Sequence, residues 1–257
     1  MSVPLRVERD GAVVHVWLSC PEVRNAFNAE LIGELNAHLA ALTSDPPRVL
    51  VLGGDGPLFC SGADAKWMAD SGQQGWDANY ADALEMANLL ATLNALPCAV
   101  LGRVQGGAYG GGIGLLACCD AVVAVDNAAF SFGEVRLGIA PATIAPYVVA
   151  KIGVSAAREL FLSAAKFDAY GAKAIGLVHA IVAESELDSE IERRIEQYLA
   201  NGPGAVAATK RLLAGLHSVS QVLLEETARL ISELRTSPEG RDGLAAFIGK
   251  RKARWVP

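Results

Sequence analysis

"GGAYGGGIGLLACCD", residues 106–120, places six glycines in nine positions and then runs apolar to Asp120. Glycine loses more backbone freedom on folding than any other residue, so this density marks backbone that must approach something closely. One candidate is a dinucleotide phosphate. "GIGLLA" (112–117) fits G-x-G-x-x-A, a strand precedes it, and acidic Glu134 follows about twenty residues on. The motif lies mid-chain, however, and leaves Gly106, Gly107, Gly110 and Gly111 unexplained. Close helix–strand packing accounts for one or two glycines. A third candidate is a helix N-terminus whose free N–H groups and dipole stabilise developing negative charge. "PLFCSGADAKWM" (57–68) offers a second donor of that kind, with Ala63 just beyond Gly62. Two N–H groups from separate loops can grip one oxygen from both sides, which is the geometry of an oxyanion hole.

Outward from this stretch, strands and helices alternate. Residues 5–9 and 12–18 form a strand pair around "RDGA". Asn28 caps a helix with Leu31, Leu35, Leu39 and Leu42 on one stripe. "RVLVLGG" (48–54) is a buried strand, followed by a polar, glycine-containing loop and a helix through "ADALEMANLLATLNAL" that Pro97 stops. "CAVLGRVQG" (98–106) and "AVVAV" (121–125) are further strands. This order predicts a mainly parallel α/β core with right-handed crossovers. From about residue 143 the pattern is helical, with one strand near 178–183. The last helix opens at Ser237 and Pro238, carries Leu244, Phe247 and Ile248 on one face, and ends in the basic run "GKRKAR".

Composition narrows the function classes. With 52% hydrophobic and 19% charged residues in 257, a sizeable core is expected. No apolar run is long enough to span a membrane, and the start lacks a secretory signal; the expectation is a soluble, cytoplasmic protein. Five cysteines without C-x-x-C spacing read as reduced thiols, the pair Cys118 and Cys119 as small apolar filler. Four scattered histidines predict no metal site. A net charge of −6 argues against nucleic acid as partner.

Taken together, "NAFN" (25–28), "FCSGAD" (59–64), "GGAYGGGIGL" (106–115), "CCDAVVA" (118–124) and "FGEVRLGIAP" (132–141) resemble the crotonase, or enoyl-CoA hydratase/isomerase, superfamily. The resemblance runs nearly end to end, through "SPEGRDGLAAFIGKRKARW" (237–255). "WM" (67–68) and "EVRLGIAPATIAPYVV" (134–149) are most similar to bacterial methylglutaconyl-CoA and isohexenylglutaconyl-CoA hydratases. It implies a spiral of ββα units over residues 1–195, a helical trimerisation region over 196–257, and a homotrimer or hexamer. It implies an acyl-CoA thioester as substrate, the coenzyme A being part of that substrate rather than a cofactor. The thioester oxygen would lie between the N–H groups of Ala63 and Gly111.

Family hydratases commonly use two glutamates. The second matches Glu134; the first would fall at 114, where this chain has Gly114. On the residues alone, Glu134 reads as a strand carboxylate paired with Arg136 on the same face; the resemblance makes it the proton carrier. By the same resemblance Ala63, Asp64, Ala65 and Lys66 line the pantetheine and nucleotide path. Arg24, Lys66, Lys250 and the ring of Phe247 approach the phosphates. Asp64 and Asp120 also read as residues that fix loops and helix ends. The expected function is enoyl-CoA hydration, on a branched, carboxylated substrate such as 3-methylglutaconyl-CoA. The alternatives are a Δ3,Δ2-enoyl-CoA isomerase using Glu134 as its single acid/base, and a non-catalytic acyl-CoA binder.

Overall fold

The computed structural model describes residues 4–216 and 221–251. β1 (Leu5–Asp10) and β2 (Val13–Leu18) form the expected antiparallel pair. α1 (Ala29–Ser44) begins where the Asn28 side chain accepts the Leu31 N–H at 2.9 Å. Leu31, Leu35 and Leu39 are buried and Leu42 partly so. Each fully buried leucine contributes about 1.5–3 kcal/mol. β3 (Val49–Gly54) is buried along its length.

The next segment departs from expectation. Asp64 accepts the Trp67 N–H at 2.7 Å and starts α2 (Ala65–Gln73) inside the predicted loop. α3 (Trp76–Ala95) and β4 (Ala99–Val104) follow. The strand predicted to reach Gly106 stops at Val104, and β5 (Gly107–Tyr109) joins a different sheet. Then come α4 (Gly111–Cys118), β6 (Ala121–Val125), β7 (Ala129–Ser131) and α5 (Ala145–Ser163). β8 (Phe167–Asp168), α6 (Ala169–Ala174) and β9 (Ala180–Val182) complete the strands. α7 (Leu187–Leu199), α8 (Pro203–Leu216), α9 (Gln221–Thr236) and α10 (Pro238–Ile248) end the described chain.

The large sheet has the order β1-β2-β3-β4-β6-β9, parallel from β2 onward. The small sheet is β5-β7-β8. β4-β5-α4 and β6-β7-α5 are therefore successive turns of one ββα spiral, with the first strand of each turn in the large sheet and the second in the small one. This is the α/β spiral of ββα units that the resemblance implies.

The C-terminal helices build a second, smaller core. α9 and α10 pack on α2 and α3 around Met68, Ala83, Ile139, Ile231 and Leu244. A boundary at 195/196 falls inside α7, whose Ile191 and Ile195 are buried in the main core. Ser237 caps α10, accepting the Gly240 N–H at 2.9 Å. Leu244 is buried, whereas Phe247 and Ile248 are exposed, so the three do not share one buried face. Residues 252–254 of the basic run lie outside the described residues. Cys60, Cys98, Cys118 and Cys119 are free and buried, and burial pushes the thiols of Cys60 and Cys119 up to about 12.

Candidate active site

The glycine stretch divides by what each residue touches. A methyl group at Gly106 would lie 2.0 Å from the Pro57 oxygen, and one at Gly107 1.9 Å from the Ala129 oxygen. At Gly112 it would meet Cys60 Cβ at 2.8 Å, and at Gly114 Ile144 Cγ2 at 2.4 Å. Packing against protein thus explains four of the six, more than the sequence suggested. It also removes the dinucleotide reading, because Gly112–Cys118 of α4 is buried throughout. Gly110 and Gly111 remain, and both face a cleft.

Two loops are fastened together at that cleft. The Phe27 N–H donates to Gly62 O at 2.8 Å, and the Asp64 N–H donates to Phe27 O at 2.7 Å. Ala63 lies between them, and its own N–H finds no acceptor among the described residues. Gly62, at φ +88°, lets the loop press on the partner loop: a methyl there would stand 2.8 Å from Tyr109 O. The Gly111 N–H, at the first position of α4, likewise has no acceptor among the described residues. Two unoccupied amides from separate loops therefore border one space.

Glu134 opens a 3-10 turn, Glu134–Leu137, rather than sitting on a strand. Arg136 does not pair with it; its Nη2 donates to Ala164 O at 2.7 Å. Gly110, at φ +48°, makes room for the carboxyl, since a methyl there would lie 3.1 Å from Glu134 Oε1. Oε2 is buried with no hydrogen-bond partner among the described residues. Enclosure of an unsolvated carboxyl disfavours its charge, and burial raises its pKa from 4.5 to about 7. Such a group gives and takes protons readily near neutral pH.

Two cavities meet at these residues. One is walled by apolar side chains such as Phe27, Ile32, Met86 and Ile144. The other opens past Tyr109, Leu137 and Phe247. Ala63, Gly111 and Glu134 line both. The site therefore has an inner, largely apolar pocket and an outer groove that share these three residues.

The remaining predicted residues divide around it. Ala65 and Phe247 line the outer groove. Asp64 lines neither cavity; its carboxylate is committed to the α2 N-cap. Asp120 is similarly engaged, accepting from the Val100 N–H at 2.8 Å and from Lys210 at 2.7 Å. Arg24, Lys66 and Lys250 are exposed and outside both linings, although Arg24 O accepts the Ser61 N–H at 3.0 Å and so borders the Ala63 loop. The cations that do line the outer groove are Arg136 and Lys166. Ile144 and Arg235, on the inner wall, carry no sequence signal that sets them apart from core and surface residues. Among the described residues no group of three His, Cys, Asp or Glu could hold a metal, and no helix is long and apolar enough to cross a membrane.

Comparison with known proteins bears on the chemistry. The profile of the family described as "Enoyl-CoA hydratase/isomerase" matches residues 8–256. Enoyl-CoA hydratase AKT6-1 of Alternaria alternata is 30% identical, over 97% of this chain and 83% of its own. The crystal structure of an enoyl-CoA hydratase from Shewanella pealeana is similar at a TM-score of 0.81 and 35% identity, covering 98% of this chain and 96% of that one. Pseudomonas aeruginosa AtuE is similar at 0.80 and 39% identity, covering 99% and 100%. With sequence and fold both matched over almost the full length, the chain that builds this cleft belongs to the enoyl-CoA hydratase/isomerase, or crotonase, family.

Proposed function

We propose that the protein adds water to an α,β-unsaturated acyl-CoA thioester, with the Ala63 and Gly111 N–H groups on the thioester oxygen and Glu134 as the group that moves protons. The observation that carries this is the Glu134 carboxyl, unpartnered at Oε2 and poised at about 7, on a wall shared with two free amides. The enoyl-CoA hydratases among its relatives support the same reading.

The chemistry balances with one carboxylate. Glu134 takes a proton from water as the water oxygen bonds to C3. The C2=C3 pair shifts toward the thioester, and negative charge collects on its oxygen between the two amides. Each such donor is worth roughly 2.7–4 kcal/mol in the transition state. C2 then takes the proton from Glu134, which returns to its starting charge.

The acyl group in this reading is branched and carboxylated, as in 3-methylglutaconyl-CoA, and no cofactor is needed beyond the substrate's own coenzyme A. Ala65 and Phe247 guide the pantetheine through the outer groove. Arg24, Lys66 and Lys250 join Arg136 and Lys166 near the phosphates, with Asp64 holding the loop. The protein works as a cytoplasmic homotrimer or hexamer.

One observation favours a second reading. Ile144 occupies the wall beside Gly114, so no carboxylate stands there to hold a water. A single glutamate suits Δ3,Δ2-enoyl-CoA isomerisation, in which it carries one proton between carbons. Incubation with crotonyl-CoA, 3-methylglutaconyl-CoA and a 3-enoyl-CoA in ¹⁸O-water separates the two. A labelled hydroxyl in the product supports hydration; double-bond migration without label on any substrate replaces it with isomerisation.

A further inference from the structure

The inner cavity is lined by a buried cation that has no ion pair among the described residues. Arg235, on α9, is 5% exposed and lines the same pocket as Ala63, Gly111 and Glu134. Its Nε and Nη1 are buried with no hydrogen-bond partner among the described residues. No carboxylate among them lies within ion-pairing distance. Asp82 attracts it from farther off, but the Asp82 Oδ2 already accepts from the Ser71 hydroxyl at 3.1 Å. The guanidinium carbon sits 5.4 Å from the centroid of the Trp67 ring, which also lines the pocket. Stacking of that kind occupies the face of a guanidinium and leaves its N–H edge free to donate.

A buried guanidinium with unused donors is costly unless an anion meets it. Burial has lowered its pKa only to about 10, so it is charged at neutral pH. The rest of the inner wall is largely apolar, so a ligand that satisfies Arg235 must bring its anion in at the end of a hydrocarbon chain. We infer that Arg235 is the recognition site for a carboxylate at the far end of the acyl group, which makes the ligand the mono-CoA thioester of a short dicarboxylic acid. The inference rests on the proposed acyl-CoA site and assigns its specificity to one side chain. The guanidinium's N–H donors have fixed directions and can give a carboxylate charge-assisted hydrogen bonds, which an ammonium does not reproduce.

The test uses saturated thioesters, so that binding is read apart from catalysis. Glutaryl-CoA is butyryl-CoA extended by a carboxylate, and the ratio of their dissociation constants reports the subsite. The wild-type protein should bind glutaryl-CoA about 10–100-fold more tightly, the range expected for hydrogen bonds to a charged group. Arg235→Met should collapse that ratio toward one, and Arg235→Lys should keep part of it. A wild-type ratio of one or below overturns the inference without needing a variant to fold. So does a folded Arg235→Met protein that keeps the preference. Failure of both thioesters to bind sinks the acyl-CoA site itself and this inference with it. A preference for glutaryl-CoA that Arg235→Met abolishes, with no hydration of crotonyl-CoA or 3-methylglutaconyl-CoA, upholds Arg235 and removes only the hydratase reading.

Discussion

Ile144 fills the space over Gly114: a Cβ at position 114 would stand 2.4 Å from its Cγ2 and 2.9 Å from its Cβ. The wall where family hydratases commonly carry a first glutamate is therefore closed by a 2% exposed isoleucine at the start of α5, not left open. Restoring a carboxylate there needs both residues to change. Gly114→Glu alone should lose about 1–3 kcal/mol to overpacking, with a further cost for a carboxylate forced against apolar neighbours. Adding Ile144→Ala should recover part of the steric loss. Urea unfolding of the two single variants and the double variant measures the coupling. Strictly additive effects would show that the two side chains do not compete for the same space.

Asn25 supports the donor loop from beneath. Its Nδ2 donates to the carbonyls of Asp55 and Leu58, each at 2.9 Å, and of Phe59 at 3.1 Å, while Oδ1 accepts the Cys20 N–H at 2.9 Å. It is wholly buried at φ +54°, a conformation asparagine tolerates better than most residues. Asn25→Ala should cost roughly 1–3 kcal/mol for each polar group left unpaired, and should slow turnover because the segment it holds leads directly to Ala63. A denaturation midpoint and rate both near wild type would remove Asn25 from the support of the site.

Much of this was legible because the chain marks it locally. Asn28 and Ser237 announce their helices by capping, and the alternation of strands with helices gives the fold class. The family resemblance led to Ala63, Gly111 and Glu134, which the structure brings to one wall. What was not legible depends on contacts distant in sequence. Arg235 sits on a helix with many charged residues, where a cation reads as a solvated face until α2 and α3 are seen to cover it. Gly114 reads as a vacancy until the start of α5, thirty residues on, is packed against it. Glu134 and Arg136 look paired only on a strand; a 3-10 turn sends the arginine to Ala164 instead. Asp64 reads only as a residue that fixes a loop or helix end within a polar loop; the helix it caps does not show in the sequence because α2 is short and rich in polar residues.

Gly110 should be among the least replaceable residues of the glycine stretch for turnover. Its backbone, at φ +48° and ψ −118°, is strained for any residue with a side chain, and a methyl would press on Glu134 Oε1 at 3.1 Å. Gly110→Ala should cost about 1–3 kcal/mol of stability. It should also lower kcat at least about tenfold, since a small misplacement of a reacting group is expensive. Binding of a saturated acyl-CoA, measured alongside, should fall much less. Loss of binding in parallel with kcat would mean that the substitution disturbs the cleft as a whole rather than the carboxyl.

Glu134 makes two pH-dependent predictions of opposite sense. Its carboxyl titrates at about 7 in the folded protein against an ordinary 4.5. Below 4.5 both folded and unfolded chains hold the proton, so this group contributes no pH dependence. Between 4.5 and 7 the unfolded chain releases it while the folded chain keeps it, and stability falls as pH rises. The total is about 3 kcal/mol at 1.36 kcal/mol per unit, complete once pH passes 7. Activity runs the other way, because the proposed cycle begins with the carboxylate: kcat/KM should climb about tenfold per unit below 7 and level above it. Glu134→Gln should flatten its part of the stability slope and cost about 10²–10⁴-fold in turnover while leaving the fold intact. Urea unfolding at several pH values, paired with a pH–rate profile on the same proteins, reads both. A rate that falls with rising pH across this window would require Glu134 to start protonated, as an acid. A glutamine variant with near-normal turnover would take the proton transfer away from it altogether.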